Sequence, residues 1–474
     1  MTGTMNGYNL TDQSWLPVET TSGRHEQLSL IDTFDQTDHI RRIDAGSETS
    51  RIAIHRLLIA IRLAAQRDGI TPVDYLHRWR DRFDLFDDEH PFLQKPGLEP
   101  YGKGGYSLSN LLGAFAPNND RAFTSMFGRS QDHSTVMGIR EGFTLTPAQA
   151  AIRLLEAHLY AKKGVSTGCK DDPHPQAKGA RRYASPEGVG NMGCMLMIER
   201  ATLKDTLDLY ATLPTTISDR PAWEREDQTF GGQREPSGIL DLLTWRGRRV
   251  RLIHDGNTVT GSIVTAGDYC DRTHATGLDP MLPARVNDKG ERYPVKPDGK
   301  QETRNPALWR LLADPTIIRP AVWNAIPTDE PVDVTACACL YDTHGTVLDD
   351  IQTEHIRVSR KESDSRRPYA ERMRSLLWLM GGILRDMGAL GGFDSDDDKK
   401  HLEQQGRAEA AEAIDRLMRD GHADANMIAD AMIPLTEDWR QRTPIRARLE
   451  GADRLTGKLK ERIITLLTDK EKNQ

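Results

Sequence analysis

The sequence is poor in cysteine. Five of its 474 residues are cysteines, and no two of them form a CxxC pair. An odd, sparse set of this kind excludes a disulfide framework and offers no ligand spacing for a structural zinc ion. The closest pair, Cys337 and Cys339, lies in the apolar run VTACACLY, where alternating positions on a buried strand account for it.

Long apolar runs are also missing. No stretch of about 18 apolar residues occurs, which excludes a transmembrane helix. The first residues, MTGTMNGYNL, lack the charged start and apolar core of a signal peptide. These absences predict a cytoplasmic protein with no membrane partner.

An excess of positive charge is absent as well. Lys and Arg together number 63 against 70 for Asp and Glu, so the formal net charge is −7. The chain as a whole is therefore not a basic nucleic-acid coat, and any contact with nucleic acid must come from local basic patches. Hydrophobic residues make up 37% of the chain, which is enough for a sizeable core in two or three domains.

Periodic segments and loops alternate in the first three quarters of the chain. Apolar residues recur at helical spacing over 54–61, and further helices are expected over 72–83 and 147–161, each opened by a Thr-Pro pair. The stretches 90–146 and 162–193 are rich in Gly and polar residues. Loops of this length in a compact protein are typically functional or disordered.

The character of the sequence changes near residue 361. Before it, strand-like runs such as RVRLIHDG, VTGSIVTAG and VTACACLYD alternate with Pro-rich connections. After it, four segments with apolar residues at helical spacing follow one another with short breaks. We therefore predict an α+β protein: a mixed α/β body with long functional loops over 1–360, followed by an antiparallel four-helix bundle over 361–474.

Strings that suggest catalysis or cofactor binding fail on their context. Gly188–Gly193 (GVGNMG) matches GxGxxG, but a dinucleotide site needs a strand before it and a helix after it, whereas here a loop precedes and the strand-like CMLMI follows. Asp394–Asp398 begins like a calcium loop, but Lys399 and Gln405 stand where Gly and an acid are required. We predict a protein that is not an enzyme and needs no cofactor or metal. The alternative is a nucleic-acid-processing hydrolase whose site is assembled from distant residues.

Three features occur in the order found in one known family. Asn9–Val18 (NLTDQSWLPV) resembles the family's opening "NL..D.PWIPV", and Glu89–Gln94 (EHPFLQ) resembles its "HPF.Q" hallmark. The helical tail is similar to its C-terminal four-helix bundle. Together they make the chain resemble the CasA family, the large subunits of the type I-E Cascade CRISPR effector. Taken alone, Trp15 indicates a buried anchor and His90–Phe92 a packed turn.

The resemblance implies a function in antiviral DNA recognition. Subunits of this family recognise a protospacer-adjacent motif in duplex DNA from the minor groove, promote strand separation and R-loop formation, and help to recruit a helicase-nuclease. The guide RNA supplies sequence specificity by base pairing. The implied partners are target double-stranded DNA, the guide crRNA ribonucleoprotein, the other Cascade subunits and the helicase-nuclease. A purely structural scaffold for protein partners is a further alternative.

The family recognises the motif with a glycine loop whose backbone approaches the groove. The best match here is Gly164, Val165, Ser166, Thr167 and Gly168, directly after the third predicted helix. Glycine suits such a loop because a side chain would block close backbone approach to the base edges. For Gly164 the alternative is a helix C-cap.

The family also inserts the tip of a hairpin as a wedge against the first base pairs. The matching string is Leu340–Thr346, in which His344 takes the place of the family's Gln, between Thr343 and Gly345. A flat imidazole ring can stack on a base pair as an amide can. A polar hairpin turn with a glycine at positive φ is the alternative.

A further loop of the family contacts the complex and the motif region. Phe123, Thr124 and Ser125 match its "AF.N" loop, with Ser125 where the family has Asn. The resemblance therefore implies a DNA contact here as well.

Cations near the motif are the least defined part of the resemblance. The family uses a lysine there, and the stretch 252–288 contains none, so Arg272 or Lys289 is expected to replace it. The run TWRGRRVRL adds a basic stripe that suits phosphate contacts or, equally, a strand edge guarded by charge. Its arginines are Arg246, Arg248, Arg249 and Arg251.

Overall fold

The computed structural model describes most of the chain, in two compact units. The described residues are 7–99, 144–167, 169–170, 182–185, 187–225, 234–296, 311–312, 314, 316–341, 348–390, 395–419, 424–442 and 458–468. The first unit comprises Met1–Lys296, Pro320–Ile326 and Val332–Ile351, and the second comprises Pro297–Arg319, Pro327–Pro331 and Gln352–Gln474. The boundary proposed between residues 360 and 361 stays a prediction.

Helices and strands are mixed along the chain, which confirms the mixed fold class. The helices before the tail are α1 (Leu30–Asp35), α2 (Glu48–Asp68), α3 (Pro72–Arg78), α4 (Pro147–Leu159), α5 (Leu203–Tyr210), α6 (Ile239–Leu243) and α7 (Arg272–Leu278). The strands are β1 (Leu16–Thr20), β2 (His25–Leu28), β3 (Ile40–Ile43), β4 (Gly164–Thr167), β5 (Arg182–Ser185), β6 (Met195–Glu199), β7 (Arg248–Asp255), β8 (Thr258–Ala266), β9 (Ala284–Val286), β10 (Arg292–Pro294), β11 (Ile317–Ile318), β12 (Pro331–Tyr341) and β13 (Leu348–Ser359).

Helix α2 lies at the centre of the first unit. The Ser47 hydroxyl caps its start by accepting the Ser50 N–H at 3.2 Å, and Gly69 ends it in the left-handed region at a φ of 69°. Helices α3, α4, α5 and α6 all pack against it. Because neighbours surround it, even its Arg56 is buried, with Nη1 2.7 Å from Oδ2 of the equally buried Asp279.

The other predicted helices form with small changes at their ends. Thr146 and Gln149 make a reciprocal capping box at the start of α4, as the Thr-Pro opening indicated, and the helix ends at Leu159. Helix α3 ends earlier than predicted, at Arg78, because a 3-10 turn over Arg80–Arg82 replaces its last turn.

The strands agree with the alternating runs of the sequence. β7 and β8 form an antiparallel hairpin, and β12 pairs antiparallel with β6. At the N-terminus β1 lies between β2 and β3. Trp15, just before β1, is fully buried and donates its indole N–H to the Leu10 carbonyl at 3.0 Å, so it is the anchor that the sequence indicated.

The tail contains long helices that share one core. They are α8 (Arg360–Leu390), α9 (Asp396–Arg419), α10 (Ala425–Arg442) and α11 (Leu459–Thr468). The buried side chains of this core include Leu376, Met380, Ile414, Ile428, Trp439 and Ile463. The antiparallel four-helix bundle stays a prediction, because the connecting residues 391–394, 420–423 and 443–457 are not described. In the part of the chain that is described, no helix is long and apolar enough to cross a membrane.

Candidate nucleic-acid interface

The predicted glycine loop begins as one strand of a hairpin. Gly164–Thr167 is β4 and pairs antiparallel with β5. The C-cap alternative for Gly164 is wrong, because α4 ends at Leu159 with Tyr160 as its cap and Gly164 starts the strand. Gly168 lies outside the described residues.

The point where the chain leaves α4 is fixed by donors from a later loop. The Gly188 N–H donates to the Ala161 carbonyl at 2.6 Å, which joins the two ends of the segment 162–187. The Asn191 side-chain amide donates to the carbonyls of Tyr160, at 2.5 Å, and Ala161, at 3.0 Å. Carbonyls at a helix end need donors from elsewhere. These bonds supply them, so the base of the β4–β5 hairpin is held in place.

Close packing explains the glycines of the GxGxxG match without any cofactor. A Cβ on Gly188 would lie 2.3 Å from the Leu159 carbonyl oxygen, and one on Gly190 would lie 2.6 Å from the Tyr160 ring. Only glycine permits such approach. As predicted, the run enters a strand, since β6 follows at Met195.

A pair of glycine substitutions tests this packing. Gly190→Ala is expected to destabilise the protein by about 1–3 kcal/mol, since a methyl group must displace the Tyr160 ring. Gly164→Ala is expected to leave stability nearly unchanged, because no atom of the described residues lies within 4 Å of the Cβ position. Thermal unfolding of the two variants beside the parent chain checks this. Equal losses in both would contradict the packing argument.

Two cations, Arg272 and Lys296, lie on either side of one carboxylate beside the hairpin, and Lys163 lies near Lys296; we call these three cations the basic cluster. The Arg272 guanidinium donates to Glu187, and the Lys296 Nζ lies 4.0 Å from the other oxygen of that carboxylate. Lys163 immediately precedes β4 and is close enough to affect Lys296 electrostatically. Of the two residues expected to replace the family's lysine, Arg272 therefore lies here. Lys289 lies in the turn between β9 and β10.

Lys296 lies outside residues 252–288, where the family resemblance suggested a lysine, so the sequence alone did not indicate it. It follows β10, where the Cys194 N–H donates to the Val295 carbonyl at 2.8 Å. Burial lowers the pKa of the Lys296 ammonium, while Glu187 raises this pKa and Arg272 lowers it. The signal available in the sequence was the strand-like ERYPVK, whose last residue is a lysine.

The structure corrects the role predicted for Arg248. Its residue is 3% exposed, and its guanidinium donates to the carbonyls of Gly247, at 2.6 Å, and Lys162. A phosphate has no access to a guanidinium in this position, so Arg248 supports the hairpin base and the predicted DNA contact is wrong. Arg249 is likewise buried and donates to the Ala266 carbonyl at 2.8 Å.

Arg246 differs from these neighbours. It is partly exposed and lines a pocket of about 40 Å³ together with His90, Gln94 and Trp223. Its phosphate contact stays a prediction.

The EHPFLQ run is a packed turn. Phe92 is fully buried and stacks on Phe83 with the ring centroids 5.2 Å apart. The Gln94 side-chain oxygen Oε1 accepts the Leu252 N–H at 2.7 Å and so joins this turn to β7. The motif therefore has a structural role in the described fold.

Two buried histidines are held neutral. Burial lowers the pKa of His158 to about 3, and its Nε2 lies 2.9 Å from the Leu93 carbonyl, to which the neutral ring donates. Burial likewise lowers the pKa of His55 to about 4; its Nδ1 lies 3.0 Å from the Arg51 carbonyl and its Nε2 3.4 Å from Glu199.

The remaining predicted contacts lie outside the described residues. They are Phe123, Thr124 and Ser125 of one loop, and Thr343, His344 and Gly345 of the wedge. Their neighbours are described: β12 ends at Tyr341 and β13 begins at Leu348.

No metal-binding arrangement occurs among the residues that the structure describes, where no three His, Cys, Asp or Glu side chains could hold an ion together. All five cysteines are buried and none takes part in a disulfide. Burial raises the pKa of the Cys337 thiol to about 12, so this thiol stays protonated.

Several known proteins are similar to this chain. The family model for CRISPR-associated protein Cse1 matches residues 9–443. CRISPR-associated protein CasA/Cse1 of Thermus thermophilus is 29% identical over 318 residues, which cover 61% of this chain and 57% of that protein. The chain thus spans little more than half the length of this relative.

Solved structures share the fold. Cse1 of Thermobifida fusca superposes with a TM-score of 0.76 at 22% identity, over 97% of this chain and 98% of that one. CasA of Thermus thermophilus gives a TM-score of 0.73 at 18% identity, over 96% and 100% of the two chains. A chain of a CRISPR RNA-guided surveillance complex gives 0.67 at 18% identity, over 97% and 99%. Since the family model covers most of its length, the chain belongs to the Cse1 (CasA) family of CRISPR-associated proteins.

Proposed function

We propose that this chain is a non-catalytic subunit of a type I-E RNA-guided CRISPR complex, in which it recognises the protospacer-adjacent motif in duplex DNA. The observation that carries this proposal is the β4–β5 hairpin, fixed at its base and flanked by the basic cluster, on a chain whose net charge is −7. The family and the surveillance complex that contains a similar chain support a guide crRNA and other Cascade subunits as partners.

The hairpin suits close approach to a groove. Gly164 presents no side chain, and none of the described residues lies within 4 Å of its Cβ position. Backbone groups can therefore approach base edges, while Lys163, Arg272 and Lys296 supply positive charge for the phosphates. In the minor groove this arrangement distinguishes few base pairs, which suits a complex that tolerates related motifs.

Strand separation is the second part of the proposal. The segment between β12 and β13 carries His344 and acts as the wedge that opens the duplex beside the motif. Displacing the first base pairs costs a few kcal/mol of stacking. R-loop formation by the guide follows, and the subunit then helps to recruit the helicase-nuclease. No cofactor takes part.

Two variants with different expected profiles test the proposal. Gly168→Asp places a carboxylate against the groove, so motif-dependent binding should fall roughly tenfold or more for fully paired targets and for targets unpaired beside the motif. His344→Ala should weaken binding to fully paired targets much more than to pre-opened ones, because the latter need no wedge. Gel shifts with the reconstituted complex at fixed salt measure both effects, since phosphate contacts make affinities salt-dependent.

The outcomes separate the alternatives. A complex that assembles but shows no preference for any flanking motif would favour the scaffold. DNA cleavage by the isolated chain with magnesium, manganese or zinc, persisting through purification, would favour the hydrolase. Unchanged binding of His344→Ala to paired and pre-opened targets would remove the wedge from the proposal.

A further inference from the structure

Glu187 occupies the centre of the basic cluster. Its side chain is 13% exposed, compared with 38% for Arg272 and 48% for Lys296. The carboxylate bridges the two cations, one on each oxygen. The cations thus face solvent more than the anion that holds them.

The backbone on each side of this bridge is fixed. Glu187 precedes Gly188, whose N–H is bonded to Ala161 at the hairpin base. Arg272 is the first residue of α7, and the Asp271 side chain caps the N-terminus of this helix. Lys296 follows Val295, whose carbonyl accepts the Cys194 N–H. The bridge therefore forms between preset positions, and the three residues come from parts of the chain that are far apart in sequence.

A carboxylate and a phosphate compete for the same donors. Both accept charge-assisted hydrogen bonds from guanidinium and ammonium groups. A phosphate that takes the Arg272 Nε donor, or that takes the place of the carboxylate beside Lys296, therefore separates Glu187 from that cation.

We infer that Glu187 is an intramolecular competitor of DNA: it occupies the two cations in the DNA-free protein, and a phosphate of the duplex displaces it on binding. The inference rests on the proposed function for the identity of the ligand. Non-specific binding depends almost wholly on phosphate contacts, whereas binding at the motif adds contacts to base edges. The cost of displacing Glu187 therefore weakens binding to motif-free DNA, because such DNA offers no base-edge contacts to offset this cost.

Replacement of Glu187 by glutamine tests the inference. Glu187→Gln keeps the size of the side chain and removes its charge, so the assembled complex should bind a motif-free duplex roughly tenfold more tightly, with a salt dependence steeper by about one unit of the logarithmic slope. Gel shifts with one duplex that carries the motif and one that lacks it, at several salt concentrations, measure this.

Asp208 provides a matched control. It also bridges an arginine and a lysine, Arg62 at 3.3 Å and Lys204 at 2.7 Å, but on α5. Asp208→Asn removes the same charge and should leave DNA binding within about twofold, because neither Arg62 nor Lys204 belongs to the basic cluster and exposed charges are screened by salt. If Glu187→Gln tightened binding no more than Asp208→Asn, or weakened it in a chain with unchanged thermal stability, the inference would be overturned.

A combined variant identifies the receiving groups. With Arg272→Ala and Lys296→Ala in the background, Glu187→Gln should no longer tighten binding; a gain that persists there contradicts the inference. Equal binding of both duplexes by the parent complex would instead refute motif recognition. The comparison between Glu187→Gln and Asp208→Asn would still decide the role of Glu187.

Discussion

Asp279→Ala is expected to cost about 3–5 kcal/mol of stability, because it leaves the charge of Arg56 buried without its partner. Both side chains are almost fully buried, at 2% and 0% exposure, and their closest atoms are 2.7 Å apart. Within the described residues, Arg56 then keeps a single hydrogen bond, to the Leu242 carbonyl at 2.9 Å. Urea or thermal unfolding measures the loss.

Two further variants give this prediction its controls. Arg56→Met combined with Asp279→Leu should recover most of the loss, since replacing a buried ion pair by apolar residues of similar volume is often neutral. Asp208→Ala, which breaks an exposed pair with Arg62, should cost less than about 1 kcal/mol. A loss in Asp279→Ala no greater than in Asp208→Ala would contradict the burial of an uncompensated charge.

Acid is expected to destabilise the protein through His55 and His158, which are buried among the described residues. In the unfolded chain a histidine titrates near pH 6.5, whereas burial lowers the folded pKa to about 4 for His55 and about 3 for His158. Between the folded and the unfolded pKa values, the unfolded state binds more protons than the folded state does. The free energy of unfolding is therefore highest above pH 6.5, where both buried rings are neutral. It decreases as pH falls, by up to about 1.4 kcal/mol per pH unit for each histidine.

Thermal unfolding between pH 7.5 and pH 5 checks this expectation. His158→Gln keeps a donor for the Leu93 carbonyl and should show a shallower decline of the unfolding temperature with falling pH than the parent chain. The exposed His77, changed to glutamine, should leave the pH dependence unchanged. A decline equally steep in all three chains would show that other groups cause the acid sensitivity.

Features governed by neighbouring residues were predictable from the sequence. Thr146 and Pro147 define the start of α4, because capping depends on residues three positions apart. β7 and β8 follow from alternation and from the turn between them. Trp15 and the turn around Phe92 belong to motifs whose physical reason, burial of a large aromatic, could be given in advance.

Features that depend on distant segments were not predictable in this way. Glu187, Arg272 and Lys296 come from separate stretches of the chain, and no local spacing connects them. Arg248 stands in an apparently ordinary basic stripe. Its burial depends on the end of α4, which places the Lys162 carbonyl beside the Arg248 guanidinium. Because α4 ends at Leu159, Gly164 is likewise a strand residue instead of a helix cap.

The bond between Gly188 and Ala161 also bears on how this family can diversify. It joins the two ends of the segment 162–187, and the strands β4 and β5 of that segment pack on β8. A change among the residues between these two strands can therefore leave the contacts of α2, α4 and β6 as they are. If the segment recognises the flanking motif, exchanging it between relatives would transfer motif preference as a unit. A host facing viruses that alter their flanking sequences could then acquire a new preference by recombination within one short stretch of the gene, without a new fold.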